Sequence, residues 1–188
     1  LDNPVWSSLV SHHQGFALGE GRVRRYREDV APFAAMQDAS PEAEAQLLEL
    51  IPVGGKAAMV GVLPTLGSNW RVDDEFMGVQ MVWLGSSPKI SEGTEIQKLN
   101  SADVPAMLDL TALVYPAYFR TGTAELGDYL AIRQDRALCA MAGIRMSMPG
   151  FQEISAVCVH PYFQGKGYAG RLMRCLVQQI LASGNIPF

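Results

Sequence analysis

The period of hydrophobic and polar positions changes along the chain, and the sharpest change lies within residues 153–181. Ile154, Ala156 and Cys158 alternate with Ser155, Val157 and Val159, so nearly every position is apolar, as in a short strand covered on both faces. His160-Pro161 ends this strand, because proline supplies no ladder donor and biases the preceding residue away from helical geometry. Past the bend the period lengthens. Ala169, Leu172, Met173, Leu176, Val177, Ile180 and Leu181 stand at i, i+3, i+4 spacings and predict a helix with one buried stripe, closed by Ser183-Gly184.

Upstream, the spacing of Val23, Tyr26, Val30 and Phe33 predicts a helix. Arg22, Arg24, Arg25 and Arg27 would form its solvated face, since Glu20, Glu28 and Asp29 interleave with them and weigh against a phosphate site. Ser40-Pro41-Glu42 predicts a second helix start, with a capping hydroxyl, proline in the first turn and a carboxylate near the positive dipole end. Leu47, Leu48, Leu50 and Ile51 form its apolar side before Pro52 and Gly54-Gly55 break it. Strands are expected at 57–63 and 78–84, and the Gly/Ser/Pro-rich stretch 85–93, with Ser86, Ser87, Pro88 and Ser91, reads as a linker. The expected division is therefore a smaller helix-plus-strand region at 1–90 and a second domain at 91–188.

The second domain opens with a strand at 95–99, followed by a helix capped by Ser101 and carrying Val104, Met107, Leu108, Thr111 and Val114 toward Pro116. Residues 129–133 and 137–148 predict a hairpin across Gln134-Asp135-Arg136, and Met148-Pro149-Gly150 turns the chain into the strand described above. The fold class is α/β, with a mixed sheet.

Composition narrows the function classes. A net charge of −4 and 48% hydrophobic residues describe a globular chain without the basic excess of a nucleic-acid binder. No apolar run reaches membrane-spanning length and no signal-peptide pattern opens the chain, so neither a membrane nor export is expected. Cys139, Cys158 and Cys175 lie in apolar elements without paired spacing, which reads as reduced thiols of a cytoplasmic protein. Adjacent His12 and His13 diverge and lack a partner cluster, so no metal site is expected.

Between strand and helix lies Gln164-Gly165-Lys166-Gly167-Tyr168-Ala169-Gly170. Glycine at three of these seven positions lets a ligand approach the backbone, and N–H groups at a helix start favour an anion. From Ile154 onward there are Lys166, Arg171 and Arg174 and no acidic residue. Gly165, Gly167 and Gly170 formally satisfy the dinucleotide fingerprint, but five residues separate strand from first glycine and no acidic residue follows to hold a ribose. The Walker spacing is absent as well.

Gln164-x-x-Gly167-x-Ala169 does fit another pattern. It resembles the acyl-CoA motif of the GNAT superfamily of N-acetyltransferases, as does the wider run Ala140-Met141-Ala142-Gly143, then 153–158, then His160-Pro161; the resemblance extends from about Thr94 onward. It implies a GNAT-like acyl-CoA N-acyltransferase fold in the second half. Residues Gln164, Gly165, Lys166, Gly167, Tyr168, Ala169 and Gly170 would hold the pyrophosphate of acetyl-CoA, and Val157, Cys158 and Val159 would offer a strand edge to the pantetheine arm. Glu153 would be the general base, its carboxylate partly desolvated by Phe151 and Ile154; an edge glutamate facing solvent is the competing reading. His160 and Tyr162 are second-choice proton carriers, and a capping bond suits His160 better. Tyr118 and Arg120, in the segment 115–123, would recognise the acceptor or else plug the end of the sheet.

The expected activity is transfer of an acetyl group to a primary amine of a small molecule or peptide; the alternative is a non-catalytic acyl-CoA-binding or regulatory module. Family members continue past this helix into a further strand, and Asn185-Ile186-Pro187-Phe188 does not read as one. The cleft is then expected to lack its second wall, unless residues 1–90, which would be a degenerate acyltransferase lobe walling the pocket, or a second copy in a homo-oligomer supplies it.

Overall fold

Glycine-punctuated segments build the first unit, Leu1–Glu28 with Pro32–Met81. The structure, a computed structural model, describes every residue except Ser91, Glu92, Thr94 and Ala117; the expectations for Ser91 and Thr94 lie outside the described residues. Helix α1 (Pro4–Leu9) precedes β1 (Ala17–Leu18), β2 (Val23–Tyr26) and β3 (Ala34–Met36), an antiparallel sheet in that order, and then α2 (Pro41–Leu50). The helix expected through Val23 and Phe33 is thus a pair of strands. Val23, Tyr26 and Phe33 are buried at helical spacing because the short β2 and the return to β3 are covered from several sides, and burial alone does not reveal the period. Arg22 is tied to Asp38 and, at 3.1 Å, to Glu42, and Arg25 to Glu28 at 3.0 Å.

The Ser40 cap is present, its hydroxyl accepting from the Ala43 N–H at 3.3 Å. Leu47 and Ala43 turn inward to join Val23, Ala34, Met36 and Ile51 in this unit's core. The strands expected at 57–63 and 78–84 do not form. A strand needs a neighbour to take its N–H and C=O groups; among the described residues the first segment makes an isolated bridge, Phe33 to Ala58, and the second a single backbone bond, from Trp83 N–H to the Pro187 carbonyl at 2.9 Å.

The second unit comprises Asp29–Ala31 and Val82–Phe188. Its sheet runs β4 (Gln97–Lys98), β5 (Tyr129–Gln134), β6 (Ala137–Met148), β7 (Phe151–Val159), β8 (Ile186–Pro187), antiparallel except for the last pair. Helix α3 (Val104–Val114) lies between β4 and β5, and α4 (Tyr168–Ala182) between β7 and β8. The 3-10 turn leading into α3 is capped by Asn100, not Ser101: Asn100 Oδ1 accepts from Ala102 N–H and Asp103 Oδ2 from Asn100 N–H, both at 2.9 Å, a reciprocal box that satisfies two donors.

Strand alternation separates two cores. Leu130, Ile132, Ala142 and Ile144 face α4 and pack against Leu172, Leu176 and Ile180, while Tyr129, Ala131, Met141 and Cys158 face α3 and pack against Met107 and Leu110. Each fully buried Leu or Ile contributes about 1.5–3 kcal/mol. Ile186–Pro187 corrects the expectation that no strand follows the helix: short as it is, it lies parallel to the start of β7. Among the described residues no helix is long and apolar enough to cross a membrane.

Candidate active site

The site forms where β7 loses its neighbour. Pairing steps from Met141–Cys158 to Gly143–Ser155, one residue more on β7 than on β6, and Ala156 takes φ +50°; this is a bulge, which bends the strand. On the other edge β8 reaches only the beginning of β7: Ile186 N–H donates to Gly150 O at 2.9 Å, Phe188 N–H to Gln152 O at 3.0 Å, and Ile154 N–H to Phe188 O at 2.8 Å. From Ser155 onward that edge has no strand partner among the described residues. His160 N–H bonds Cys139 O at 2.8 Å, so by antiparallel alternation the Val159 N–H turns to the open edge. An extended, amide-bearing arm would add there as a strand does.

The side chains of the three predicted edge residues divide. Val157 is exposed, Val159 packs on the α4 core, and Cys158 is buried against α3. Burial pushes the Cys158 thiol up to about 11, opposed by a backbone hydrogen bond with Met141. It is an inert core thiol, and this stretch has only backbone to offer.

The loop follows directly. His160 Nδ1 accepts from the Tyr162 N–H at 3.3 Å, capping the 3-10 turn Pro161–Phe163 as expected of it, and stacks on Tyr162 with centroids 5.3 Å apart. Gly165 and Gly167 take φ +77° and +75°, with open space where a Cβ would stand. These left-handed positions disfavour any other residue and turn the amides outward. Within α4 the earliest bond is Arg171 N–H to Gly167 O at 3.1 Å; none of the N–H groups from Gly165 to Gly170 donates to a backbone carbonyl among the described residues. Gln164 and Lys166 are exposed, and Lys166 Nζ stands 5.0 Å from the Phe163 ring centroid. The Tyr168 side chain is buried in the α4 core, its hydroxyl accepting from Gln134 Nε2 at 2.8 Å, so Tyr168 brings only its N–H to the loop.

Glu153 is neither free nor facing solvent. Its two carboxylate oxygens accept from Arg145, Nε to Oε2 at 2.9 Å and Nη2 to Oε1 at 2.6 Å. Tyr129 stands on the same face of the sheet. Its ring lies over Gly143, where a Cβ would come within 2.2 Å of it, and Phe119 meets it edge-on at 5.5 Å. Burial raises its phenol well above the ordinary range, with Arg145 pulling down and Glu153 pushing up. Through Phe119 the segment after α3 reaches this face. Tyr118 instead stacks on Tyr115 at 4.9 Å, and the Arg120 N–H donates to Thr123 Oγ1 at 2.8 Å.

Reading the sequence alone misses Arg145 and Tyr129. Arg145 had a signal: it is the one charged residue in the apolar run of β6, but counting back across the Pro149-Gly150 turn sets Met146 opposite Glu153, and only the register shift between Ile144 and Ser147 brings Arg145 to it. Among the described residues no cluster of three metal-ligating side chains occurs.

A bulged strand with a half-open edge, feeding a glycine loop and a helix N-terminus, defines the class of acyl-CoA N-acyltransferase folds. The comparisons carry this to a family. A solved structure from Novosphingobium aromaticivorans DSM 12444, described as an acetyltransferase from the GNAT family, is 31% identical, with a TM-score of 0.84 over 99% of this chain and 83% of that one. Residues 129–188 match the family model of FR47-like proteins. A GNAT family acetyltransferase from Brucella melitensis, solved in complex with acetyl-CoA, is 20% identical and overlaps 50% of this chain and 71% of that one at a TM-score of 0.42. No curated protein matches the sequence. The chain belongs to the GNAT family and has its fold.

Proposed function

We propose that this chain is an N-acetyltransferase that moves an acetyl group from acetyl-CoA to a primary amine. The observation that carries the reading is the run of amides from Gly165 to Gly170 that donate to no backbone carbonyl among the described residues, in the loop that follows the open edge of β7. The residues fit the group. The positions above Gly165 and Gly167 are clear for a diphosphate, the α4 dipole and Lys166 and Arg174 favour its charge, and the Val157–Val159 backbone accepts an amide-bearing arm. Bound there, acetyl-CoA supplies an activated thioester.

The chain's own residues then have two tasks. The bulge at Ala156 leaves backbone donors to face the acyl carbonyl, and Glu153 takes a proton from the attacking amine once Arg145 yields one of its two bonds. The three cysteines, all free, support a reducing, cytoplasmic setting.

A second reading, a non-catalytic acyl-CoA-binding module, is favoured by the bidentate hold of Arg145 on Glu153. Thiol release from acetyl-CoA across a panel of primary amines, run beside equilibrium binding of coenzyme A, separates the two. The enzyme reading expects amine-dependent thiol release. Saturable binding without release selects the module.

A further inference from the structure

Between α3 and β5 the described residues form no strand and only a short 3-10 turn, Thr123–Leu126, yet this connection is held firmly at one point. Three residues from far upstream, Asp29–Ala31, belong to the same unit, and Val30 and Ala31 are buried. The Gly122 N–H donates to the Asp29 carbonyl at 2.7 Å. The Thr123 hydroxyl, 3% exposed, donates to the Val30 carbonyl at 2.6 Å and accepts from the Arg120 N–H at 2.8 Å. Its proton and a lone pair are thus both taken by backbone groups, in a place where leaving either partner unmet is costly. Gly122 closes the contact. A Cβ there would stand 3.0 Å from both the Asp29 carbonyl oxygen and Val30 Cγ2, and with φ −90° the position asks for space and not for a left-handed backbone.

The clamp lies close to the face that carries Glu153. Phe119, one residue before Arg120, packs on the α3 core and meets the Tyr129 ring edge-on at 5.5 Å, and Tyr129 stands on that face. A chain pinned at Gly122 and Thr123 leaves Phe119 little freedom to move. We propose, resting on the acyl-transfer reading above, that Gly122 and Thr123 are positioning residues for the acceptor amine: by clamping segment 119–123 to Asp29–Ala31 they fix the wall, Phe119 on Tyr129, that bounds the room beside Glu153. They act through Phe119 and not on the reacting atoms. Such remote positioning matters because a displacement of about 1 Å at a reacting pair can cost about a hundredfold in rate.

The test is steady-state thiol release from acetyl-CoA with propylamine, phenethylamine, spermidine and glycine amide as acceptors, on the full chain and on Thr123→Val, Thr123→Ser and Gly122→Ala. For the amine that the wild type uses best, Thr123→Val should raise KM about tenfold with kcat within about threefold, the mark of lost acceptor binding. KM for acetyl-CoA should stay within about twofold of wild type. Thr123→Ser keeps the hydroxyl and should bring the amine KM back to within about threefold of wild type, while Gly122→Ala keeps every hydrogen bond and should raise it about fivefold by pushing the segment outward. An amine KM unmoved in both Thr123→Val and Gly122→Ala, a serine variant no better than the valine one, or KM values for amine and acetyl-CoA that rise together would each overturn the proposal. If Thr123→Val fails to fold, Gly122→Ala and Thr123→Ser decide it. Thiol release absent with every amine removes the acyl-transfer reading and this one with it, whereas release with unmoved KM values removes only this one.

Discussion

Gly143 sets the packing of the face that carries Glu153. With a Cβ position 2.2 Å from the Tyr129 ring, Gly143→Ala must push the ring off the sheet, and overpacking of this kind costs about 1–3 kcal/mol; thermal melts should show the loss, and Tyr129→Ala in the same chain should restore part of it. Tyr129→Phe should leave the melting temperature unchanged or raise it, because it deletes a buried hydroxyl that has no partner. Glu153→Gln should lower amine-dependent turnover by roughly a hundredfold, the scale of a lost general base, with coenzyme A affinity nearly unchanged; equal turnover would remove Glu153 from the mechanism. At this scale the sequence was only half legible. Glu153, Gln164 and the glycines stand in a recognisable motif, whereas the Arg145 partner depends on a hairpin register interrupted by a bulge, and the Tyr129 environment on a glycine in the neighbouring strand.

Among the elements, the hairpin of β5 and β6, the strand β7 and the amphipathic α4 were readable, because long periodic runs with clear turns admit few alternatives. Asp135 and Arg136, at φ +48° and +70°, close that hairpin in a two-residue turn. The short elements were not readable. β2 has four residues and β8 two, too few for alternation to show, and the apolar runs at 57–63 and 78–84 have strand composition but join no sheet among the described residues. The loop into α4 yields a direct prediction. Gly167→Val places a side chain where phosphate would stand and in a left-handed conformation that costs about 1–2 kcal/mol, so coenzyme A affinity should fall tenfold or more while α4 remains, as circular dichroism would show. β7 yields another. Burial raises the Cys158 thiol from 9.0 to about 11, so below about pH 9 folded and unfolded chains both hold the proton and the contribution is complete. From there to about pH 11 the unfolded chain ionises first and stability falls. The melting temperature should therefore drop across that window, and less steeply in Cys158→Ala; equal slopes would contradict the assignment.

For the molecule as a whole, the charge pattern agrees with the ligand proposed above. A net charge of −4 coexists with a final stretch, from Ile154 on, that is wholly cationic, so the proposed binding of coenzyme A should weaken as salt rises. The family is that of a structure sharing 31% of its residues with this chain, and the acetyl-CoA reading proposed above rests on the loop amides at the front of α4. Calorimetric titration of the full chain with coenzyme A, paired with a thermal melt, tests it most directly: the account predicts one site per chain and a raised melting temperature, and a folded chain that gives neither heat nor stabilisation would contradict it.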